Sequence, residues 1–181
     1  MVEFKTLAVL IVGPAGHSMT FLRGVLRSHG VTRITTASRI EKALLWLQKE
    51  LFQIVFCDEK VDVVTFLRML RRDLETSDIT VPVILVSAGV NREQIQGARD
   101  AGVNDVIAKP VSANTVEQKL RSLMLTPRPF VAAKSFVGPD RRREKNPPVS
   151  EGPFPSRERR GGRSAEASVF VLPPKKLPKI L

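Results

Sequence analysis

The sequence predicts an α/β domain: a doubly wound, five-stranded parallel sheet with helices on both faces, followed by a basic, disordered tail. Three observations carry this. Leu7–Val12, Ile54–Cys57 and Val81–Val86 are continuous apolar runs, as expected of strands buried on both faces. Between them, apolar residues recur at helical spacing, and alternating strands and helices imply parallel pairing with right-handed crossovers. After Thr126 the composition changes. Residues 1–126 hold 16 of the 29 Lys+Arg and 13 of the 18 Asp+Glu, a net charge of +3. Residues 127–181 carry a net charge of +8 and 10 of the 13 prolines. Such a segment has too little apolar surface to offset its ordering entropy. The chain therefore divides into a folded domain, 1–126, and a Pro/Arg-rich tail, 127–181.

The first strand, Leu7–Val12, stops at Gly13-Pro14-Ala15-Gly16, a loop signal. Ser18 is placed to cap the next helix, in which Phe21, Leu22, Val25 and Leu26 repeat with helical spacing; His29-Gly30 ends it. Val31–Thr36 reads as a short β-branched strand, and Arg39 to Glu50 as a helix with Ile40, Ala43, Leu44 and Leu47 inward. After the third strand, a helix from Val63 to Leu74 turns Val63, Phe66, Leu67 and Leu70 inward and Arg68, Arg71 and Arg72 outward. Thr76–Thr80 is a polar loop, and Val81–Val86 tolerates Pro82 at its start. Asn91 is the expected cap of the fourth helix, with Glu93 favouring its positive end. Gly102 follows that helix, Val103–Ala108 holds the fifth strand, and Ser112 or Asn114 starts a last helix with Val116, Leu120 and Leu123 buried.

Cys57 is the single cysteine, which rules out an internal disulfide and suits a reducing compartment. No apolar stretch reaches the roughly 18–20 residues of a membrane span, and the Leu7–Val12 run is too short for a signal peptide. A cytoplasmic location is expected. His17 and His29 have no Cys or carboxylate partners at ligand spacing. Trp46 is read as packing. Gly13-x-x-Gly16 lacks both the dinucleotide fingerprint and the P-loop Lys-Ser/Thr.

The run Phe52–Cys57 ends on Asp58. A carboxylate there either caps the next helix or stands where open α/β sheets place their chemistry, outside the carboxyl ends of the strands. Ser87 after the fourth strand and Lys109-Pro110 after the fifth occupy equivalent places, and Ala98–Asp105 leads into the latter. On these residues, about 5–124 of the chain resembles the receiver domain of bacterial two-component response regulators. The resemblance implies a flavodoxin-like sheet of order 2-1-3-4-5 and makes Asp58 the equivalent of the phosphoacceptor. It makes Ser87 and Lys109 the equivalents of the groups that contact the phosphoryl oxygens, by hydrogen bond and by charge. It also makes Lys109-Pro110 a candidate cis peptide.

The resemblance implies Mg²⁺ as well, held by an acidic pair at the end of the first strand. Here Gly13 and Pro14 fall on those positions, and no carboxylate lies between Glu3 and Glu41. Glu59 and Asp62 are the candidate substitutes for a metal otherwise not expected. The loop Glu59–Asp62 is short against the family pattern, and Val106 replaces the Tyr or Phe of many receivers. Without the acidic pair, Asp58 and Lys109 are free to pair directly. The reading is a degenerate, stand-alone receiver, not an enzyme, that binds a protein partner such as a histidine kinase or a downstream target. The alternative is an active receiver phosphorylated on Asp58 through a rearranged metal site.

In the tail, Phe136-Val137-Gly138-Pro139-Asp140-Arg141-Arg142-Arg143 looks like tails attached to some stand-alone receivers. Arg141, Arg142 and Arg143, and then Arg157, Arg159 and Arg160, are candidate anion-binding groups. Val169–Lys176 is apolar and then basic, like a short docking segment. Three readings stay open: a solvated tail, docking to an acidic protein surface, or contact with nucleic acid or an anionic membrane.

Overall fold

The computed structural model describes residues 4–72, 78–89, 92–132, 136–140 and 170–172. Five strands, β1 (Ala8–Val12), β2 (Arg33–Ala37), β3 (Ile54–Asp58), β4 (Val83–Ser87) and β5 (Asp105–Ala108), form one parallel sheet of order β2-β1-β3-β4-β5. Five helices alternate with them: α1 (His17–Ser28), α2 (Ile40–Lys49), α3 (Val63–Arg72), α4 (Arg92–Asp100) and α5 (Ala113–Leu125).

The pleat sorts the apolar runs into two cores. Val9, Ile11, Ile54, Phe56, Ile84 and Val86 face α1 and α5, through Leu22, Leu26, Val116 and Leu120. Leu10, Val12, Val55, Cys57, Val83 and Leu85 face α2 and α3, through Leu44, Leu47, Phe66 and Leu70. β1, β3 and β4 are buried at every position, which is why their sequences do not alternate. Among the described residues, no helix is long and apolar enough to cross a membrane.

The element ends differ in places from expectation. α1 begins at His17 on an extended Gly16 with no side-chain cap, so Ser18 lies inside the first turn. Asn91 and 73–77 lie outside the described residues. Ser112 does cap α5, accepting from Thr115 N at 3.1 Å. β2 starts two residues late, Val31 being buried ahead of it.

Arg71, expected outward, is 3% exposed. Its guanidinium donates to the carbonyls of Ile79, Val81 and Gly102 and to Asn104 Oδ1, closing the lower ends of β4 and β5. These oxygens are what permit a buried cation without a carboxylate at hydrogen-bond distance. Burial pushes its pKa down to about 9, with Asp78 acting in the other direction.

Within the tail expected to be disordered from 127, three short segments are strands. β6 (Phe130–Ala132) pairs antiparallel with β7 (Val137–Pro139) on one side and β8 (Phe170–Leu172) on the other. Phe130 is 4% exposed and its ring lies 4.7 Å from the Arg71 guanidinium, a cation–π contact. Gly138 sits against Gly102 so closely that a Cβ on it would lie 2.8 Å from Gly102 Cα. Charge and proline averaged over 55 residues hide the apolar pieces at the start of the tail. Those pieces pack on the domain through Arg71 and Gly102. Arg141, Arg142, Arg143, Arg157, Arg159 and Arg160 lie outside the described residues.

Candidate functional site

The sheet register sets Asp58 beside Val86 and Ser87 beside Ala108. The polar residues that follow therefore gather at one edge, the carboxyl ends of β3, β4 and β5. Lys109 N donates to Ser87 O at 2.8 Å and Glu59 N to Val86 O at 3.0 Å, extending the ladders by one bond each. Asp58 and Ser87 are buried, and Glu59 and Lys109 half-buried. The Lys109–Pro110 peptide is cis.

Lys109 Nζ lies 3.0 Å from Asp58 Oδ2 and 2.9 Å from Glu59 Oε1. Asp58 Oδ1 accepts from Lys60 N at 2.9 Å, an Asx-type turn. The capping alternative for Asp58 fails, because Asp62 does that work. Its carboxylate accepts from Thr65 N at 3.0 Å and Thr65 Oγ1 at 2.7 Å, ahead of α3. Those bonds, the backbone one first, hold the Asp62 carboxyl below its ordinary value.

Glu59 is the residue that sequence reasoning placed least well. Its Oε2 accepts from Ser87 Oγ at 2.7 Å and Ala88 N at 2.8 Å, while Oε1 takes Lys109. Ser87 Oγ in turn accepts from Gly89 N at 3.1 Å, which directs the hydroxyl proton toward Glu59. Gly89 has φ +75°, a left-handed conformation suited to glycine. Gln94 Nε2, from α4, holds Glu59 O at 2.9 Å. Burial raises the Glu59 carboxyl, but the bonds from Ser87, Lys109 and Ala88 outweigh it, and its pKa lies below the ordinary value. For Lys109, burial is likewise outweighed by Glu59 and Asp58, and the ammonium is held above its ordinary value.

The residues present do not fit Mg²⁺, which wants near-octahedral oxygen ligands. Gly13 packs on Asp58 with φ +154°, and a Cβ there would lie 2.6 Å from Asp58 Cβ. No side chain, let alone a carboxylate, has room at that position. Pro14 is exposed and offers no side-chain ligand. Glu59 faces an ammonium, a hydroxyl and an amide, and Asp62 is spent on its cap. Among the described residues, no group of three or more His, Cys, Asp or Glu is placed to hold a metal. His17 is exposed at the start of α1, and His29 bridges to Glu117 at 3.3 Å across α1 and α5.

Residues 9–121 match the family model of the response regulator receiver domain. The chemotaxis protein CheY-3 of Vibrio cholerae is 32% identical over 119 residues, 64% of this chain and 90% of that protein. The receiver domain of the sensor histidine kinase PA1611 of Pseudomonas aeruginosa, with a magnesium ion in its active-site cleft, has the same fold. Its TM-score is 0.56 at 22% identity, over 64% of this chain and 94% of that one. The receiver domain of Saccharomyces cerevisiae Ssk1, crystallised with the phosphotransfer protein Ypd1, gives 0.56 at 21% identity, over 66% and 89%.

Proposed function

Since this chain belongs to the response regulator receiver family of two-component phosphorelay signalling, we propose that it is a degenerate receiver acting through a bound protein partner. The observation that carries this is the arrangement around Asp58. Lys109 is paired directly with it at 3.0 Å, and Gly13 fills with backbone the place where the family has a metal-binding carboxylate. A phosphoryl group arriving on Asp58 would add negative charge beside Glu59 with one ammonium to share, and no divalent ion to offset it.

The partner class is that of receivers in general, a histidine kinase or phosphotransfer protein, as with the Ypd1 complex of Ssk1. Its surface on this chain is the face formed by the ends of β4 and β5 and their flanking helices, from Ala88-Gly89 through Asp100 and from Ala113 onward. There Arg92, Glu93, Gln96, Arg99 and Ala108 are exposed, and Gln94 links α4 to the site through Glu59 O. The same proposal puts the chain in the cytoplasm, where the Cys57 thiol stays reduced.

The second reading, phosphorylation of Asp58 with a rearranged metal site, draws on the three residues that do converge: Asp58, Ser87 and Lys109. It requires Glu59 and Asp62 to leave their present partners. Incubation of the full chain with a small-molecule phosphoryl donor, with and without Mg²⁺, separates the two. The expected result is no stable label on Asp58 in either condition. Stable, Mg²⁺-dependent labelling there would reject the degenerate reading in favour of the second.

A further inference from the structure

We infer that Glu59 is a built-in anion for this site: its carboxylate fills the seat formed by Ser87, Ala88 and Lys109 and holds that seat in an occupied state. The inference rests on the degenerate-receiver reading and extends it to how the site is regulated.

The donor set is an anion receptor. A hydroxyl, a backbone N–H and an ammonium, from the ends of two neighbouring strands, converge on one carboxylate at 2.7, 2.8 and 2.9 Å. Charge-assisted bonds of this length are among the stronger kinds. Each donor is itself fixed. Gly89 N orients the Ser87 hydroxyl, Lys109 is anchored by Asp58, and Gln94 grips the Glu59 carbonyl. Glu59 is carried one residue beyond Asp58, on backbone still bonded to β4 through Val86 O. Its side chain is thus delivered to the seat by the strand, with no loop to order. Oε2 takes two donors and Oε1 the ammonium, so both oxygens of a planar anion are satisfied.

Two consequences follow. Ser87 and Lys109 are held against an anion whether or not Asp58 is modified, so the β4–α4 turn and the Gln94 end of α4 stay in one arrangement. Any external anion must also displace a tethered carboxylate, whose effective concentration is high because it pays little entropy to bind. The site is therefore closed to small anions in the wild-type chain and opened by removing Glu59.

The test is chemical rescue. ¹⁵N-labelled full chains of wild type, Glu59→Ala and Glu59→Gln are titrated with sodium formate, against sodium chloride at equal ionic strength, while the Ala88 and Gly89 amides are followed by NMR. Loss of the 2.8 Å bond is expected to move the Ala88 amide proton upfield in Glu59→Ala. Formate is expected to return it toward the wild-type position, with an apparent affinity roughly tenfold or more above that for wild type. Glu59→Gln keeps the side-chain shape, guards against a misfolded alanine variant, and is expected to show an intermediate shift. Unmoved Ala88 and Gly89 amides in both variants would overturn the inference, as would formate acting equally on wild type. Phosphoryl labelling of wild-type Asp58 bears on the degenerate reading alone; the Ala88 amide reports Glu59 in its seat in either case.

Discussion

Replacing Gly13 by alanine puts a methyl group where Asp58 already stands. The added Cβ would lie 2.6 Å from Asp58 Cβ, against the 3.4 Å at which ordinary contact begins. Both atoms are bonded directly to backbone, so no rotamer change relieves the clash and β1 or β3 must shift. Overpacking of this kind costs about 1–3 kcal/mol. The φ of +154° adds roughly 1–3 kcal/mol for any residue with a side chain. The expected loss is about 2–6 kcal/mol, a large share of the roughly 5–15 kcal/mol that holds a domain folded. Urea unfolding followed by the fluorescence of Trp46, the one tryptophan, measures it; that ring packs on the α2–α3 side core and reports its exposure. Gly24→Ala in α1, with nothing within 4 Å of the new Cβ, should instead gain up to about 1 kcal/mol. Gly13→Asp should lose at least as much as Gly13→Ala and acquire no magnesium-dependent stabilisation. If Gly13→Ala unfolds within about 0.5 kcal/mol of wild type, the backbone is not wedged against Asp58 and a side chain at position 13 is not sterically excluded.

Lys109→Met leaves Asp58 and Glu59 without their shared cation and should cost about 2–3 kcal/mol at neutral pH, less than a fully buried pair because the ammonium is partly exposed. Glu59 has a depressed pKa in the fold, so its contribution is present above the ordinary carboxylate range, about pH 4.3, and disappears as pH falls through the lowered value. The gap between wild type and Lys109→Met should therefore narrow on acidification; a gap that widens would contradict the pairing. Phe130→Ala strips the ring from Arg71 and should cost about 3–4 kcal/mol. Hydrogen exchange at Val131, Val137 and Gly138 should quicken while β1 and β3 stay protected, and unchanged exchange would mean that β6 is not anchored by Phe130. A chain cut after Thr126 should lose the same contact, so partner-capture experiments need at least residues 1–140. The Cys57 thiol is pushed up to about 12, by burial first and then by the Asp58 charge. Iodoacetamide should label it at the rate of global unfolding, and rapid labelling of the native chain would place it nearer the surface.

The outline of the fold was written locally. β1, β3 and β4 are legible because strands buried on both faces must be apolar at each position, and the helices because one stripe of each meets the sheet. From the βα alternation it follows that Asp58, Ser87 and Lys109 stand at a common edge, and the structure has them there. The same rule of thumb misplaced Arg71, whose helical position is outward-going by pattern. The carbonyls gathered ahead of β4 and β5, the Asn104 side-chain oxygen, the Asp78 charge and Phe130 from beyond α5 make its burial tolerable. Phe130 and Gly138 were hidden for a related reason: a short strand that packs on Arg71 and Gly102 leaves little mark in composition. Glu59 is the sharpest case. By itself the sequence determined that a carboxylate follows Asp58. That it turns to Ser87, 28 residues away, and Lys109, 50 residues away, was decided by tertiary structure alone. A side chain's partner is whichever complementary group the packed backbone brings within about 3 Å, and no local pattern encodes that distance.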